Sequence, residues 1–169
     1  AGVQALAVHG RTRACAYKGP VEYDTIRAIK AAVAIPVVAN GDIRSPEEAA
    51  AVLRYTGADA VMVGRAAQGQ PWIFREISQY LATGQSAAPP SLTEISTILL
   101  QQLTDLYGFY GEFMGVRCAR KHLLWYSKNR PGSKAFWTRV NKVTAMQEQY
   151  ALTRDYFLGL AESDYAKAG

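Results

Sequence analysis

The sequence predicts a parallel α/β unit, the C-terminal part of a (β/α)8 TIM barrel with about three strands, followed by a small all-α bundle. Three observations carry this. The runs 37–39 and 60–63 are continuously apolar, and each ends in a Gly-bearing polar turn, Asn40-Gly41-Asp42 and Gly64-Arg65, as expected of parallel strands buried on both faces. From Ile95 onward, apolar residues recur at steps of three and four, the spacing of helices. Between the two regions, 84–90 is a Gly, Ser, Ala and Pro stretch that reads as a linker. The expected division is therefore 1–84, a linker at 85–90, and 91–169.

In chain order, 5–8 reads as a buried strand ending in His9-Gly10-Arg11-Thr12-Arg13. A loop runs through Cys15, Tyr17 and Lys18 to Gly19-Pro20, and Ile26, Ile29 and Val33 mark a helix facing the sheet. Strand 37–39 follows. Ser45-Pro46-Glu47-Glu48 is a capping box with Pro at the first helical position, and Gly57 stands where a left-handed cap ends the helix. After strand 60–63 and the turn at 64–65, residues 66–72 lead into a helix over about 73–82. The order strand, helix, strand, helix, strand commits this part to a parallel sheet with right-handed crossovers.

The second part reads as helices throughout. Ile95, Ile98, Leu99, Leu103, Leu106 and Tyr110 mark one, broken in the 108–115 region; Val116, Ala119, Leu123 and Tyr126 mark another. Asn129-Arg130-Pro131-Gly132 is a turn, Ser133 an expected cap, and Phe136, Trp137, Val140 and Val143 a third apolar face. A last helix is expected from about 153 to 161, with Tyr156, Phe157 and Leu160 inward.

Parallel strands open their C-termini on one rim, so Asn40-Gly41-Asp42 and Gly64-Arg65 should lie side by side, with His9 on the same rim. Backbone N–H groups beside glycines, with the charged fork of Arg65, make a cup suited to phosphate. Loops after the last two strands of a (β/α)8 barrel often build such a site. The bland alternative is that the glycines only turn the chain and Arg65 is a surface charge.

Charge points to a second function. The 169 residues carry a formal net charge of +5 with a sequence pI near 9.3, which favours a polyanionic partner. Eight Lys or Arg residues and no Asp or Glu lie between Gly115 and Lys142. At 100° per residue Arg117, Lys121 and Lys128 fall within about 40° of one another, opposite the apolar face. Trp125, Tyr126 and Trp137 are interleaved with the cations, a pattern used to hold RNA; the alternative is a solvated face above core aromatics. Cys15 and Cys118 have no metal-ligand or disulfide-framework spacing, which gives the expectation of a reducing cytoplasm. Neither a charged-then-apolar leader nor an apolar run of about 18 residues occurs, so no membrane association is expected. The chain begins at Ala1 and is in an apolar run by Ala5, which suggests a fragment.

Taken in order, His9-Gly10-Arg11-Thr12-Arg13, Asn40-Gly41-Asp42-Ile43, Gly64-Arg65-Ala66 with Pro71-Trp72, and Arg117-x-Ala119-Arg120-Lys121-His122-Leu123 with Trp125-Tyr126 resemble the tRNA-dihydrouridine synthases, closest to the bacterial B-type branch. The resemblance covers nearly the whole chain. It implies an FMN-dependent barrel and a helical tRNA-binding domain that together reduce a uridine in tRNA, with NADPH as electron donor. By that resemblance Asn40, Gly41, Asp42, Gly64 and Arg65 are FMN-phosphate binders. His9 is either the flavin-site histidine or a hydrogen bonder that orders its loop. Arg117, Arg120, Lys121 and His122 belong to the tRNA-contacting helix, with Lys128 on the same charged line. Arg11 and Arg13 face either the tRNA or nearby carboxylates, and Arg11 is counted with the tRNA.

The departure matters as much. The family's catalytic cysteine belongs to an Asn-x-Gly-Cys-Pro motif, which is absent here, so no catalytic residue is assigned and neither Cys15 nor Cys118 takes that role. The chain alone is expected to be inactive and to self-associate through unpaired strands. Two other readings remain open at this point, a non-catalytic RNA-binding chain and an FMN-phosphate barrel acting on a small molecule.

Overall fold

The computed structural model describes residues 2–14 and 18–168, with side chains to 163; Cys15 and Tyr17 lie outside the described residues. The chain divides into two compact units, Ala1–Ala88 and Pro89–Gly169.

In the first unit, strands β1 (Leu6–His9), β2 (Val37–Asn40) and β3 (Ala60–Met62) form a parallel sheet in the order β1-β2-β3. Leu6 pairs with Val37 and His9 with Asn40 across β1 and β2; Val38 pairs with Ala60 and Asn40 with Met62 across β2 and β3. Helices α1 (Asp24–Ala32), α2 (Pro46–Thr56) and α3 (Ile73–Thr83) follow the three strands. Ile26, Val37, Ala39, Ala49, Val52, Ile73 and Ile77 build the core, with Leu6, Val8 and Val61 packed against it.

Burial on both faces does not hold here. Side chains alternate across a strand, and the set opposite the core includes Ala7, Ala60 and Met62, all exposed. Within the described residues of the first unit, α1, α2 and α3 all contribute to the core on one face of the strands. The exposed opposite face explains why a continuously apolar run coexists with a half-buried sheet.

Local chemistry sets the boundaries of α2 as expected. The Ser45 hydroxyl accepts from Glu48 N–H at 3.2 Å, and the Glu48 carboxylate accepts from Arg44 N–H at 2.7 Å. Gly57 closes the helix in the left-handed region, its N–H on the Leu53 carbonyl.

The second unit consists of α4 (Leu92–Ser127), α5 (Ser133–Val140) and α6 (Met146–Ala168). At Gly111, with φ 70° and ψ 174°, the backbone of α4 leaves the helical region. The two arms fold back on each other: Gln102 of the first reaches His122 and Tyr126 of the second, and Gly115 lies against Leu106 and Tyr107. Ile95, Leu99 and Leu103 are buried on one arm, and Val116, Ala119, Leu123 and Tyr126 on the other. Tyr110, expected in the core, is instead exposed at the reversal.

Two other boundaries differ from expectation. Gly132, in the left-handed region, occupies the cap position of α5, and Ser133 is the first helical residue. Helix α6 begins at Met146 rather than near Thr153, because the Glu112 carboxylate accepts the Met146 N–H at 2.9 Å. Its inward positions include Gln149 and Thr153, both fully buried, so polar residues there hide the apolar period.

Candidate functional site

Pairing of His9 with Asn40, and the turn after β3, bring the three strand ends to one rim. There His9, Asn40, Gly41, Asp42, Ile43, Arg44, Gly64, Arg65 and Ala66 line a cavity of about 490 Å³. All the residues expected to hold a phosphate are in its wall. Asn40 Nδ2 donates to the Met62 carbonyl at 2.7 Å, tying β2 to β3 at the rim.

Gly41 has φ 150°, and a Cβ there would lie 2.6 Å from Val21 Cγ1. Tyr23 O–H donates to the Gly41 carbonyl; burial first and then the Asp42 charge push the phenol pKa up. Gly41→Ala should cost about 1–3 kcal/mol, combining a disfavoured φ with overpacking. Denaturant unfolding measures it, and adding Val21→Ala should recover only the overpacking part. An unchanged midpoint in the single variant would contradict this account.

The centre of the rim is Asp42, itself at φ 41°. Its carboxylate is 2.5 Å from Arg11 Nη2, 2.5 Å from Arg65 Nη2 and 3.3 Å from Arg44 Nη2. The hydrogen bond from Arg11 holds its pKa down to about 2, with the charges of Arg11, Arg44 and Arg65 adding to the effect. Three guanidiniums converge on one carboxylate, and Arg44 and Arg65 stay largely exposed beside the glycine turns. A phosphate-bearing group fits this donor set. The Asp42 carboxylate itself is engaged with these three guanidiniums.

Arg11 takes the carboxylate alternative rather than the RNA one. Its side chain is 5% exposed, and it also donates to the Gly19 carbonyl at 2.7 Å through Nη2 and 3.2 Å through Nε. Ion pairing and burial therefore withdraw it from any RNA facing the surface. His9 Nδ1 accepts the Arg11 N–H at 3.0 Å, which orders the loop, while its ring also lines the cavity.

In the second unit, Arg117 and Lys121 are exposed along the second arm of α4, and Lys128 is exposed at its C-terminal end. Arg117 lies 4.1 Å over the Phe113 ring, and Lys121 lies 5.2 Å over the Trp125 ring. Arg120 turns inward and donates to the Val143 carbonyl at 2.9 Å. His122 is also half-buried, with Nδ1 2.9 Å from Gln102 Nε2; burial and then the Lys121 charge lower its pKa. Neutral imidazole suits the Gln102 amide as donor. Arg120 and His122 thus hold the helices together, while Arg117, Lys121 and Lys128, like Lys134, Arg139 and Lys142, are exposed.

The expected aromatic partners also differ. Tyr126 is buried, with its hydroxyl on Gln102 Oε1 at 2.9 Å and its pKa pushed up to about 12 by burial. Trp125 and Trp137 are half-buried. Among the described residues of this unit the open rings are Phe109, Tyr110 and Phe113, which flank the Gly111 break. Sequence patterns single out neither Arg44, two residues from Asp42, nor Tyr23. The clue to the rings lies in Gly108 and Gly111, which put them at a reversal instead of inside a helix.

Comparison with known proteins places these features in a family. A family model described as dihydrouridine synthase (Dus) matches residues 1–162. The chain belongs to the dihydrouridine synthase family. It is 59% identical over 157 residues to tRNA-dihydrouridine synthase B of Pseudomonas putida, covering 93% of this chain and 47% of that protein. It is 60% identical over 156 residues to the protein of that name from Xanthomonas axonopodis pv. citri, covering 92% and 47%. For the protein of that name from Shewanella oneidensis the identity is 54% over 162 residues, covering 96% and 50%. The chain thus spans about half the length of the curated relatives it matches. The relatives matched carry the B-type name that the motifs suggest. No helix among the described residues is long and apolar enough to cross a membrane.

Proposed function

We propose that this chain is the C-terminal part of an FMN-dependent tRNA-dihydrouridine synthase, carrying the flavin-phosphate cup of a TIM barrel and a tRNA-docking helical unit. The observation that carries the proposal is the Asp42 cluster, in which Arg11, Arg44 and Arg65 gather at the ends of three parallel strands.

Arg44 and Arg65 would grip the phosphate tail, Gly41 and Gly64 would let it approach the backbone, and Asp42 would keep the guanidiniums aligned. Asn40 braces the rim through the Met62 carbonyl. FMN, when bound, supplies hydride chemistry between NADPH and a uracil ring. Protonation of that ring needs an acid for which this chain has no candidate, so the chain alone would be inactive. Arg117, Lys121 and Lys128 would hold tRNA phosphates. The proposed setting is the cytoplasm, where unmodified tRNA and NADPH meet.

The test is equilibrium binding of unmodified tRNA to the chain over a range of salt, beside Arg117→Ala/Lys121→Ala/Lys128→Ala. Each phosphate no longer neutralised should flatten the slope of log affinity against log salt by about one. The triple variant should therefore bind weakly at low salt, with a slope shallower by about three. Binding that is salt-insensitive, or unchanged in the triple variant, would refute the docking role.

A further inference from the structure

We propose that the reversal of α4 is a stacking platform for unpaired nucleotides, in which Phe109, Tyr110 and Phe113 take base faces while Arg117 and Lys121 take the adjoining phosphates. The inference rests on the RNA reading above and adds to it the single-stranded state of the RNA that this surface selects.

Exposure is the first observation. Phe109 is 82% exposed and Phe113 65%, with Tyr110 and Met114 about half open. Large rings are ordinarily withdrawn from water, and exposed rings within five residues of one another at a chain reversal mark an interaction site. Phe109 and Tyr110 meet edge to face at 4.7 Å, which sets two ring planes at a large angle and leaves a face open to a further ring.

Charge selects the occupant. From Phe113 the exposed residues continue at helical steps to Arg117 and Lys121, with a rise of about 6 Å for each step of four, and Lys128 follows at the end of the helix. No acidic residue occurs over 113–147. Glu112, which precedes that span, is engaged at the N-terminus of α6. The Arg117 guanidinium already lies over the Phe113 ring at 4.1 Å. An apolar protein segment covering the rings would have to strip water from that guanidinium without compensating it. A nucleotide does not: its base stacks on ring or guanidinium, and its phosphate accepts the remaining N–H groups. Paired bases are already stacked within a duplex, so only unpaired ones have faces to offer.

The experiment compares binding of a short oligouridine and an RNA duplex to the chain and to Phe109→Ala/Phe113→Ala, Phe113→Trp and Phe113→Leu. Because the rings are exposed, all variants should keep the helical circular-dichroism spectrum and melting temperature. The double alanine variant should bind oligouridine about tenfold or more weakly, the size of a missing base stack, with an unchanged salt slope and unchanged duplex binding. Phe113→Trp should retain affinity and Phe113→Leu should lose it. Equal affinity of the ring variants, or full affinity of Phe113→Leu, would overturn the platform while leaving RNA docking intact. A change in sedimentation caused by the ring substitutions would overturn it too, assigning the surface to a second copy instead. If the wild-type chain bound neither RNA, the RNA reading itself would fall.

Discussion

Asp42→Asn should lower the unfolding free energy of the first unit by about 2–3 kcal/mol. Removing one partner of a buried ion pair costs about 3–5 kcal/mol because the other charge is stranded. Here Arg11 is nearly buried, whereas Arg44 and Arg65 are open to water and will be screened. The expected loss is reduced accordingly. Inorganic phosphate should restore part of it, since an anion bound only to the folded state stabilises that state. Acid offers a second readout. The Asp42 pKa is held down to about 2 from an ordinary 3.8, so the unfolded chain takes up its proton first as pH falls. Stability from the cluster is complete above about pH 4 and disappears as pH drops through about 2. Unfolding followed between those limits should show a larger drop in wild type than in Asp42→Asn, where only the other carboxylates with lowered pKa values, Asp59 and Glu47, still contribute. Equal stability of the two proteins at neutral pH would mean that the carboxylate does not organise the arginines.

In the second unit Gln149→Leu should cost about 3 kcal/mol, despite replacing a buried polar group with an apolar one. The Gln149 side chain is fully buried, accepts from Tyr107 O–H at 2.8 Å and donates to the Val116 carbonyl at 3.1 Å. It joins both arms of α4 to α6. Leucine would leave a hydroxyl and a carbonyl unpaired where burial has already pushed the Tyr107 pKa up, at roughly 1–3 kcal/mol each. Adding Tyr107→Phe should recover the hydroxyl share, because the stranded donor is then gone. Thermal and denaturant unfolding of the single and double variants test this as a cycle. A loss below about 1 kcal/mol in the single variant would mean that water satisfies both groups.

How much of the structure is legible in the sequence depends on whether local chemistry or distant partners decide it. Helix α2 is legible because Ser45, Pro46, Glu48 and Gly57 carry its boundaries within themselves. The strands and the rim are legible from apolar runs that stop at glycine turns. Helix α6 is half hidden because Glu112 caps it from 34 residues away and because Gln149 and Thr153 occupy inward positions that apolar spacing cannot reveal. Composition groups Arg120 and His122 with the exposed cations. The helical wheel separates them: Arg120 lies about 40° from buried Val116, and His122 about 40° from buried Tyr126. Arg11 cannot be assigned to Asp42 without knowing that the first two strand ends adjoin.

The arginine cluster also has a consequence for the order in which structure can form. Its partners, Arg11 with Asp42 and Arg65 with Asp42, lie 31 and 23 residues apart, in the turns that follow strands adjacent both in sequence and in the sheet. Closing such short spans costs little chain entropy. The arginine cluster is therefore a contiguous cassette, able to assemble from one βαβαβ stretch while partners more remote in the chain are still being found.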